Sequence, residues 1–196
     1  MLEEKREKFK KLEKSVGFIF SKIGISPNQY TLSSIIFGFF CCLSLFLKNF
    51  SLALIFFLIS ALLDFIDGAV ARYLNKPSKF GAYLDTIADR IVEGFVFLGF
   101  LSLPLPKFII EAKYWIFFSF FGSLMTTYAK AAAKEKELIM NELKKGFFGR
   151  GERMILILIS LALGAFEQSL VIYPLVLLAI CSNLTAIQRI FLVLRS

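Results

Sequence analysis

The sequence is 196 residues long, which suits one domain or two small ones. Its hydrophobic fraction is 57%, above the usual range of about 45–50%, so disorder and an ordinary water-soluble enzyme are both poor interpretations. This apolar content supplies about six membrane spans of roughly 20 residues each. Histidine is absent and there are only three cysteines. These counts exclude His-dependent catalysis, His-ligated metal sites and a disulfide framework.

The chain is basic, with a formal net charge of +8. In a membrane protein, an excess of Lys and Arg is typical of cytoplasmic loops and of surfaces that contact anionic lipid headgroups. We therefore expect membrane lipids, and no nucleic acid, as partners of the basic surface.

The first predicted element is a basic amphipathic helix. Residues 2–22 carry seven Lys and Arg residues, and apolar residues recur at spacings of three and four, at Phe9, Leu12, Val16 and Phe20. We expect a juxtamembrane helix on the membrane surface within an N-terminal region of residues 1–26, with a solvated tail as the alternative. The helix breaks at the Ser-Pro-Asn sequence that ends this region.

Six apolar segments follow and form a predicted transmembrane domain of residues 27–196. They cover residues 31–47, 52–71, 80–103, 114–132, 154–166 and 170–194. Residues 134–145 are charged but keep helical spacing at Leu138, Met140 and Leu143, so we expect them to extend the fourth helix into water and stop at Gly146. The predicted fold class is all-α, with six transmembrane helices preceded by the amphipathic helix.

The distribution of basic residues predicts the orientation. An even number of spans places both termini on one side, and most Lys and Arg residues fall on that side. The opposite loops hold only Lys48, Lys107 and Lys113. The positive-inside rule then predicts an integral, multi-pass protein of the cell membrane with both termini in the cytoplasm.

Four aspartates interrupt the second and third apolar segments, at Asp64, Asp67, Asp85 and Asp89. Each costs about 2.5–3.5 kcal/mol in the middle of a span unless something compensates it. Within each segment the two Asp residues lie about 40–60° apart around an ideal helix, so each pair shares one face. The short connecting loop makes the helices antiparallel neighbours whose acidic faces meet. Oxygen ligands without His or Cys favour Mg²⁺ or Mn²⁺, and two ions fit four carboxylates. We expect this site near the cytoplasmic surface.

Gly68 and Arg72 extend the acidic pattern into a longer motif. The string Asp64-x2-Asp67-Gly68-x2-Ala71-Arg72-x8-Gly81-x3-Asp85-x3-Asp89 resembles the signature of the CDP-alcohol phosphotransferase family at every defined position. The six-helix plan and the Pro27-Asn28-x2-Thr31 entry to the first span are also similar to that family. The resemblance covers nearly the whole chain beyond the N-terminal helix.

The resemblance implies an enzyme that moves a substituted phosphate, of diacylglycerol or archaeol type, from a CDP-linked lipid donor to an alcohol and releases CMP. It implies metal ligands at Asp64, Asp67 and Asp85. It also implies a general base at Asp89 that contacts the second metal ion. The implied donor-binding residues are Pro27, Asn28, Gln29, Tyr30, Gly68, Arg72 and Ser78. Related proteins pair up, so a homodimer is expected.

A second group of basic residues lies later in the chain, at Lys130, Arg150, Arg153 and Arg189. Several cations suit a phosphorylated alcohol better than a free alcohol, because the phosphate carries up to two charges; ordinary basic anchoring at the membrane is the alternative. The Arg-Gly-Glu-Arg element at residues 150–153 resembles the inositol-phosphate branch of the family, which implies inositol 1-phosphate as acceptor, with glycerol 3-phosphate as the nearest rival. The residues alone also leave open a cation or proton transporter that uses the Asp residues as a relay, and a non-catalytic scaffold.

Overall fold

The structure, a computed structural model, describes residues 2–138 and 146–194. The described ranges contain no β-strand, which confirms the all-α prediction. A short 3₁₀ helix, Gln168–Val171, precedes the last α-helix. The α-helices are α1 (Leu2–Ser21), α2 (Pro27–Phe46), α3 (Phe50–Tyr73), α4 (Lys79–Leu101), α5 (Ala112–Glu135), α6 (Arg150–Phe166) and α7 (Ile172–Leu194).

Local turn chemistry sets the helix ends around the acidic motif. α3 ends after Arg72 because Asn75 adopts a positive φ of 51° and the Lys76 N–H bonds to the Ala71 carbonyl at 3.0 Å. α4 then begins with Ser78 as its cap, whose Oγ accepts a hydrogen bond from the Gly81 N–H at 2.9 Å. The α3–α4 connection is therefore as short as the sequence predicted.

Three stretches of the described residues are long and apolar enough to cross a membrane: α2, α3 and the Gln168–Leu194 segment that contains α7. α4, α5 and α6 occupy the positions of the other predicted spans. However, α4 carries charged side chains along its length, and α6 has only 17 residues. The chain is thus a membrane protein by its apolar helices, and the count of six spans remains a prediction.

The chain divides into two compact units. The first unit comprises residues 1–41 and 55–96, and so contains α1, most of α2 and α3, and most of α4. The second comprises residues 42–54 and 97–196 and contains α5, α6 and α7. The acidic motif lies in the first unit and the later basic residues lie in the second.

Within the first unit, α1 packs on α3 through one face. Val16 and Phe20 contact a buried cluster of Tyr30, Ile66 and Val70. A Cβ atom on Gly17 would lie 2.6 Å from the Ala69 carbonyl oxygen, so this position of α1 accepts only glycine without a shift. Among the residues of the predicted apolar face, Leu12 is 55% exposed, and the Phe9 side chain lies outside the described part. α1 is therefore tied to the helices of its unit by the C-terminal half of that face.

The predicted extension of the fourth apolar helix is wrong at its start. α5 ends at Glu135, because Glu137 takes a positive φ of 56°. The Leu138 N–H donates to the Ala133 carbonyl at 3.0 Å, and the Glu137 N–H donates to the Lys134 carbonyl. This is a Schellman ending, which the Lys-Glu-Lys-Glu sequence does not signal since no glycine stands at its left-handed position. Met140 and Leu143 lie outside the described residues.

Small and hydroxyl residues hold the second unit together. Ser119 of α5 donates a hydrogen bond to the Leu175 carbonyl of α7 at 2.9 Å. A Cβ atom on Gly122 would lie 2.7 Å from the amide of Asn183, whose Nδ2 donates to the Phe118 carbonyl. Close backbone approach through small residues is typical of helix pairs in membranes. α5 and α7 thus pack closely together, and they carry Lys130 and Arg189 towards their C-terminal ends.

Candidate active site

Three of the four Asp side chains converge within the first unit. Asp64 and Asp67 lie one helical turn apart on α3, and Asp85 lies one and a half turns into α4. One carboxylate oxygen from each lies within 4.8 Å of those of the other two. Asp67 is buried, with 6% of its surface exposed, while the other two are half-buried. The shared helix faces expected from the spacing therefore place these three carboxylates together.

Thr31 holds the buried carboxylate of this group from α2. Its Oγ1 donates a hydrogen bond to Asp67 Oδ2 at 2.5 Å, and both residues are buried. In the sequence, Thr31 stands out only as part of the entry to the first span, and it was not among the predicted site residues. The only sequence signal for a role of Thr31 was its position one turn after Pro27. Its partner, Asp67, lies 36 residues away in sequence, so spacing could not predict the contact.

The fourth carboxylate, Asp89, faces another neighbour. Its Oδ2 lies 3.9 Å from the Arg90 guanidinium, and it is not a member of the three-carboxylate group. Arg90 in turn pairs with Glu93 at 2.8 Å, and the Glu93 side chain is buried. The Arg90 charge within the third apolar segment is therefore balanced by carboxylates of its own helix, as buried charges require.

Gly68 makes room for Arg72 on the surface of α3. A Cβ atom on Gly68 would lie 2.9 Å from Arg72 Nη2, so the guanidinium rests over the helix backbone where a side chain is missing. Arg72 also pairs with Glu13 of α1. The group that approaches the bare backbone at Gly68 is thus the guanidinium one turn further along α3.

The other implied donor-binding residues lie around the starts of α2 and α4. A Cβ atom on Gly81 would lie 3.0 Å from Ser78 Oγ and 3.4 Å from Asn28 Oδ1, so these polar side chains are neighbours. The Gln29 amide oxygen accepts the Ser26 N–H at 2.8 Å, half of a capping box before Pro27 at the first helical position. Tyr30 is buried, and its hydroxyl donates to the Phe20 carbonyl at 3.2 Å.

The basic residues of the second unit also form a bonded group. Arg153 of α6 is 3% exposed, and its Nη1 donates to Thr126 Oγ1 at 3.2 Å. Arg189 of α7 donates through Nη1 to the Thr126 carbonyl at 2.5 Å. Lys130 on α5 and Arg150 at the first position of α6 are both half-buried. Among the four residues predicted to bind the acceptor phosphate, Arg153 and Arg189 are thus both hydrogen-bonded to Thr126.

The residues of the three-carboxylate group fit a hard divalent cation. Three ionised carboxylates within 4.8 Å repel one another in a partly buried place, and a cation among them removes that repulsion. All the ligand atoms are oxygens, as Mg²⁺ and Mn²⁺ prefer. The Thr31 hydroxyl orients one of the ligands, as a supporting hydrogen bond does in metal sites.

Replacing Thr31 with Val tests this support. Valine keeps the shape of threonine but loses the hydrogen bond to Asp67, so affinity for Mn²⁺ is expected to fall about 10- to 100-fold, as for other losses of ligand support. The matched control is Thr86→Val on α4, whose hydroxyl bonds, among the residues that the structure describes, only the Ala82 carbonyl of its own helix. Mn²⁺ titrations of both variants give the comparison, and equal affinities would contradict the role of Thr31.

The three carboxylates that converge from α3 and α4 define a candidate divalent-cation site in an all-helical membrane protein. A family model described as CDP-alcohol phosphatidyltransferase matches residues 24–192. The chain belongs to the CDP-alcohol phosphatidyltransferase family, as the motif resemblance predicted, and is a transferase of substituted phosphate groups. The transporter and scaffold alternatives are thereby set aside.

Relatives and solved structures agree with this family. The chain is 32% identical over 191 residues to an archaetidylinositol phosphate synthase of Pyrococcus horikoshii, with 97% of this chain and 95% of that protein covered. It is similar to a crystal structure of Mycobacterium tuberculosis phosphatidylinositol phosphate synthase with CDP-DAG bound, with 25% identity, a TM-score of 0.77, and 93% and 94% of the two chains covered. A structure of the same synthase with manganese and citrate gives 26% identity and a TM-score of 0.79, with 93% and 88% covered.

Proposed function

We propose that the protein transfers a phosphatidyl-type group, with diacylglycerol or archaeol chains, from a CDP-linked lipid to inositol 1-phosphate and releases CMP. The observation that carries this proposal is the convergence of three carboxylates from the signature motif on two neighbouring helices. The similar synthases named for archaetidylinositol phosphate and phosphatidylinositol phosphate support the acceptor.

Two divalent cations, Mg²⁺ or Mn²⁺, belong to this proposal. Asp64, Asp67 and Asp85 would hold the first, and Asp89 would join the ligands of the second. The manganese in a structure of the mycobacterial synthase supports the choice of metal. When bound, the ions supply charge neutralisation for the diphosphate of the donor and for the departing CMP.

Asp89 is the proposed general base. Its carboxylate takes the proton of the acceptor hydroxyl, whose oxygen then forms a bond to the phosphorus nearer the lipid while the bond from that phosphorus to the CMP oxygen breaks. Asp89 lies one helical turn after Asp85 on α4. In this proposal Asp89 acts on the acceptor hydroxyl, while Asp85 helps to hold the metal ion that acts on the donor. The half-buried position of Asp89, beside Arg90, keeps bulk water away from the carboxylate.

The donor diphosphate is proposed to bind near Gly68 and Arg72, together with Ser78 and residues 27–30. The side chain of Arg72 is 60% exposed, and its guanidinium lies over a bare stretch of backbone; this planar fork matches phosphate oxygens. Release of its partner Glu13 would free the whole guanidinium for a diphosphate. The acceptor phosphate is proposed to bind Lys130, Arg150, Arg153 and Arg189.

Arg72→Ala is expected to raise the KM for the CDP-lipid about tenfold, because one charge-assisted bond to the diphosphate is lost, and to leave the KM for the acceptor unchanged. Lys76→Ala, which removes an exposed charge one turn further on, serves as the control. Steady-state CMP release at varied donor and acceptor gives both constants. An effect confined to the acceptor KM would contradict the placement.

The membrane arrangement completes the proposal. The protein is proposed to cross the cell membrane six times, with both termini and the active site on the cytoplasmic side and residues 1–26 at the membrane surface. A homodimer, implied by the family, is proposed as its assembly.

The function is tested by an acceptor screen. Purified protein is incubated with Mg²⁺ or Mn²⁺ and either CDP-diacylglycerol or CDP-archaeol, together with inositol 1-phosphate, inositol or glycerol 3-phosphate. CMP release and product mass are measured. We expect product with inositol 1-phosphate and none with free inositol. Product with glycerol 3-phosphate alone would reassign the acceptor, and no CMP under any condition would overturn the proposal.

A further inference from the structure

Thr126 occupies a position that serves two arginines at once. Its hydroxyl donates its proton to the Ser123 carbonyl at 2.8 Å, within α5. The oxygen lone pairs therefore remain for the Arg153 Nη1, which approaches at 3.2 Å. The carbonyl of the same residue accepts Arg189 Nη1 at 2.5 Å. One residue thus fixes a guanidinium from α6 and another from α7.

The burial of these groups makes the arrangement specific. Thr126 is fully buried and Arg153 is 3% exposed, so the hydrogen bond between them is shielded from water, while Arg189 is half-buried. Bringing two guanidiniums to one residue costs repulsion, which a dianionic ligand relieves. The buried Arg189 Nε also has no hydrogen-bond partner among the described residues, so a donor is left over at this place.

The loop before α6 closes against the same guanidinium. A Cβ atom on Gly146 would lie 3.0 Å from Thr185 Cγ2 and 3.1 Å from both Nε and Nη2 of Arg189, so a larger residue would press on both side chains. The next residue in the loop, Phe147, donates its N–H to the Gln188 amide oxygen at 3.3 Å. The Thr126 carbonyl therefore holds Arg189 through Nη1, and Gly146 lies beside Nε and Nη2 of the same guanidinium.

We propose that Thr126 is a positioning residue that sets Arg153 and Arg189 as a pair for the phosphate of the acceptor. The inference rests on the proposed function and extends it to Thr126, which would act on the acceptor by positioning the two arginines and not by touching it. It predicts that loss of the Thr126 hydroxyl weakens acceptor binding and leaves donor binding alone.

Thr126→Val removes the hydroxyl and keeps the backbone carbonyl and the side-chain shape. We expect the KM for inositol 1-phosphate to rise about tenfold, as for the loss of one hydrogen bond to a charged group, with the donor KM within twofold of the wild type. Thr126→Ser retains the hydroxyl and is expected to restore the acceptor KM. The matched control is Thr185→Val, a buried threonine on α7 whose hydroxyl, within the described part of the chain, bonds only the Cys181 carbonyl.

A second variant keeps the test decisive if Thr126→Val does not fold. Gly146→Ala places a methyl group against the Arg189 guanidinium and Thr185 Cγ2, so it shifts the same arginine and is expected to raise the same KM; an unchanged acceptor KM in this variant would contradict the arginine pair. Equal acceptor KM values for Thr126→Val and Thr185→Val, or no rescue by serine, would overturn the inference while the wild-type activity stands. Wild-type protein that accepts free inositol as readily as inositol 1-phosphate would instead overturn the proposed acceptor.

Discussion

Asp67→Asn is expected to lower the rate of CMP release by about 10³-fold or more, because metal ions contribute several kcal/mol of charge stabilisation in such reactions. The change removes the negative charge of the most buried ligand in the three-carboxylate group. Asparagine has the same shape, and its amide oxygen still accepts the Thr31 hydrogen bond, so the local packing is retained. The loss is thus one of charge and not of fold.

The measurement for Asp67→Asn combines Mn²⁺ binding with CMP release. Both should fall together, and the thermal unfolding midpoint in detergent should stay near that of the wild type. Glu111→Gln, the same kind of change at an exposed residue of the second unit that pairs with Lys113, is the control and should alter neither. Turnover within tenfold of the wild type would contradict the role of Asp67 as a ligand.

Asp89→Asn is expected to lower turnover about 10²- to 10⁴-fold, the usual contribution of a general base. Unlike Asp67, this residue is not a member of the three-carboxylate group, and its carboxylate faces Arg90. Donor binding and the affinity for the first metal ion should therefore change by no more than a few fold.

Equilibrium binding of a CDP-lipid, measured beside CMP release, separates the two roles. A turnover near the wild-type value in Asp89→Asn would refute the base. A loss of donor binding as large as the loss of turnover would instead assign Asp89 to the first metal ion. The difference between the Asp67 and Asp89 variants is the result that the account requires.

Helix periodicity predicted the core of the site from sequence. All four Asp residues of the chain lie in the signature motif. Each stands out in an apolar segment because placing a carboxylate in a membrane span costs free energy. Since α3 and α4 are regular helices joined by a short turn, spacing alone placed Asp64, Asp67 and Asp85 on facing sides. The family followed from the same residues.

Features that depend on tertiary contacts were not predictable from spacing. The hydrogen bond from Thr31 to Asp67 and the pairing of Glu13 with Arg72 each join helices distant in sequence. Periodicity describes which face of a helix is apolar but not which neighbour covers it, so the packing of α1 on α3 was also missed.

Local conformation limited the prediction elsewhere. The end of α5 depends on a left-handed residue that is a glutamate and not the usual glycine, so the sequence carried no stop signal there. Helix spacing also predicted Asp89 beside the other three carboxylates, but it is not a member of their group and its Oδ2 lies 3.9 Å from the Arg90 guanidinium.

The central claim is that Asp64, Asp67 and Asp85 together hold a divalent cation. Anomalous diffraction from crystals of the full chain grown with Mn²⁺ and a CDP-lipid tests it most directly. We predict an anomalous peak within coordination distance of one oxygen from each of the three carboxylates, absent in crystals of Asp67→Asn. A manganese peak elsewhere with none among these carboxylates, or an undiminished peak in the variant, would contradict the account.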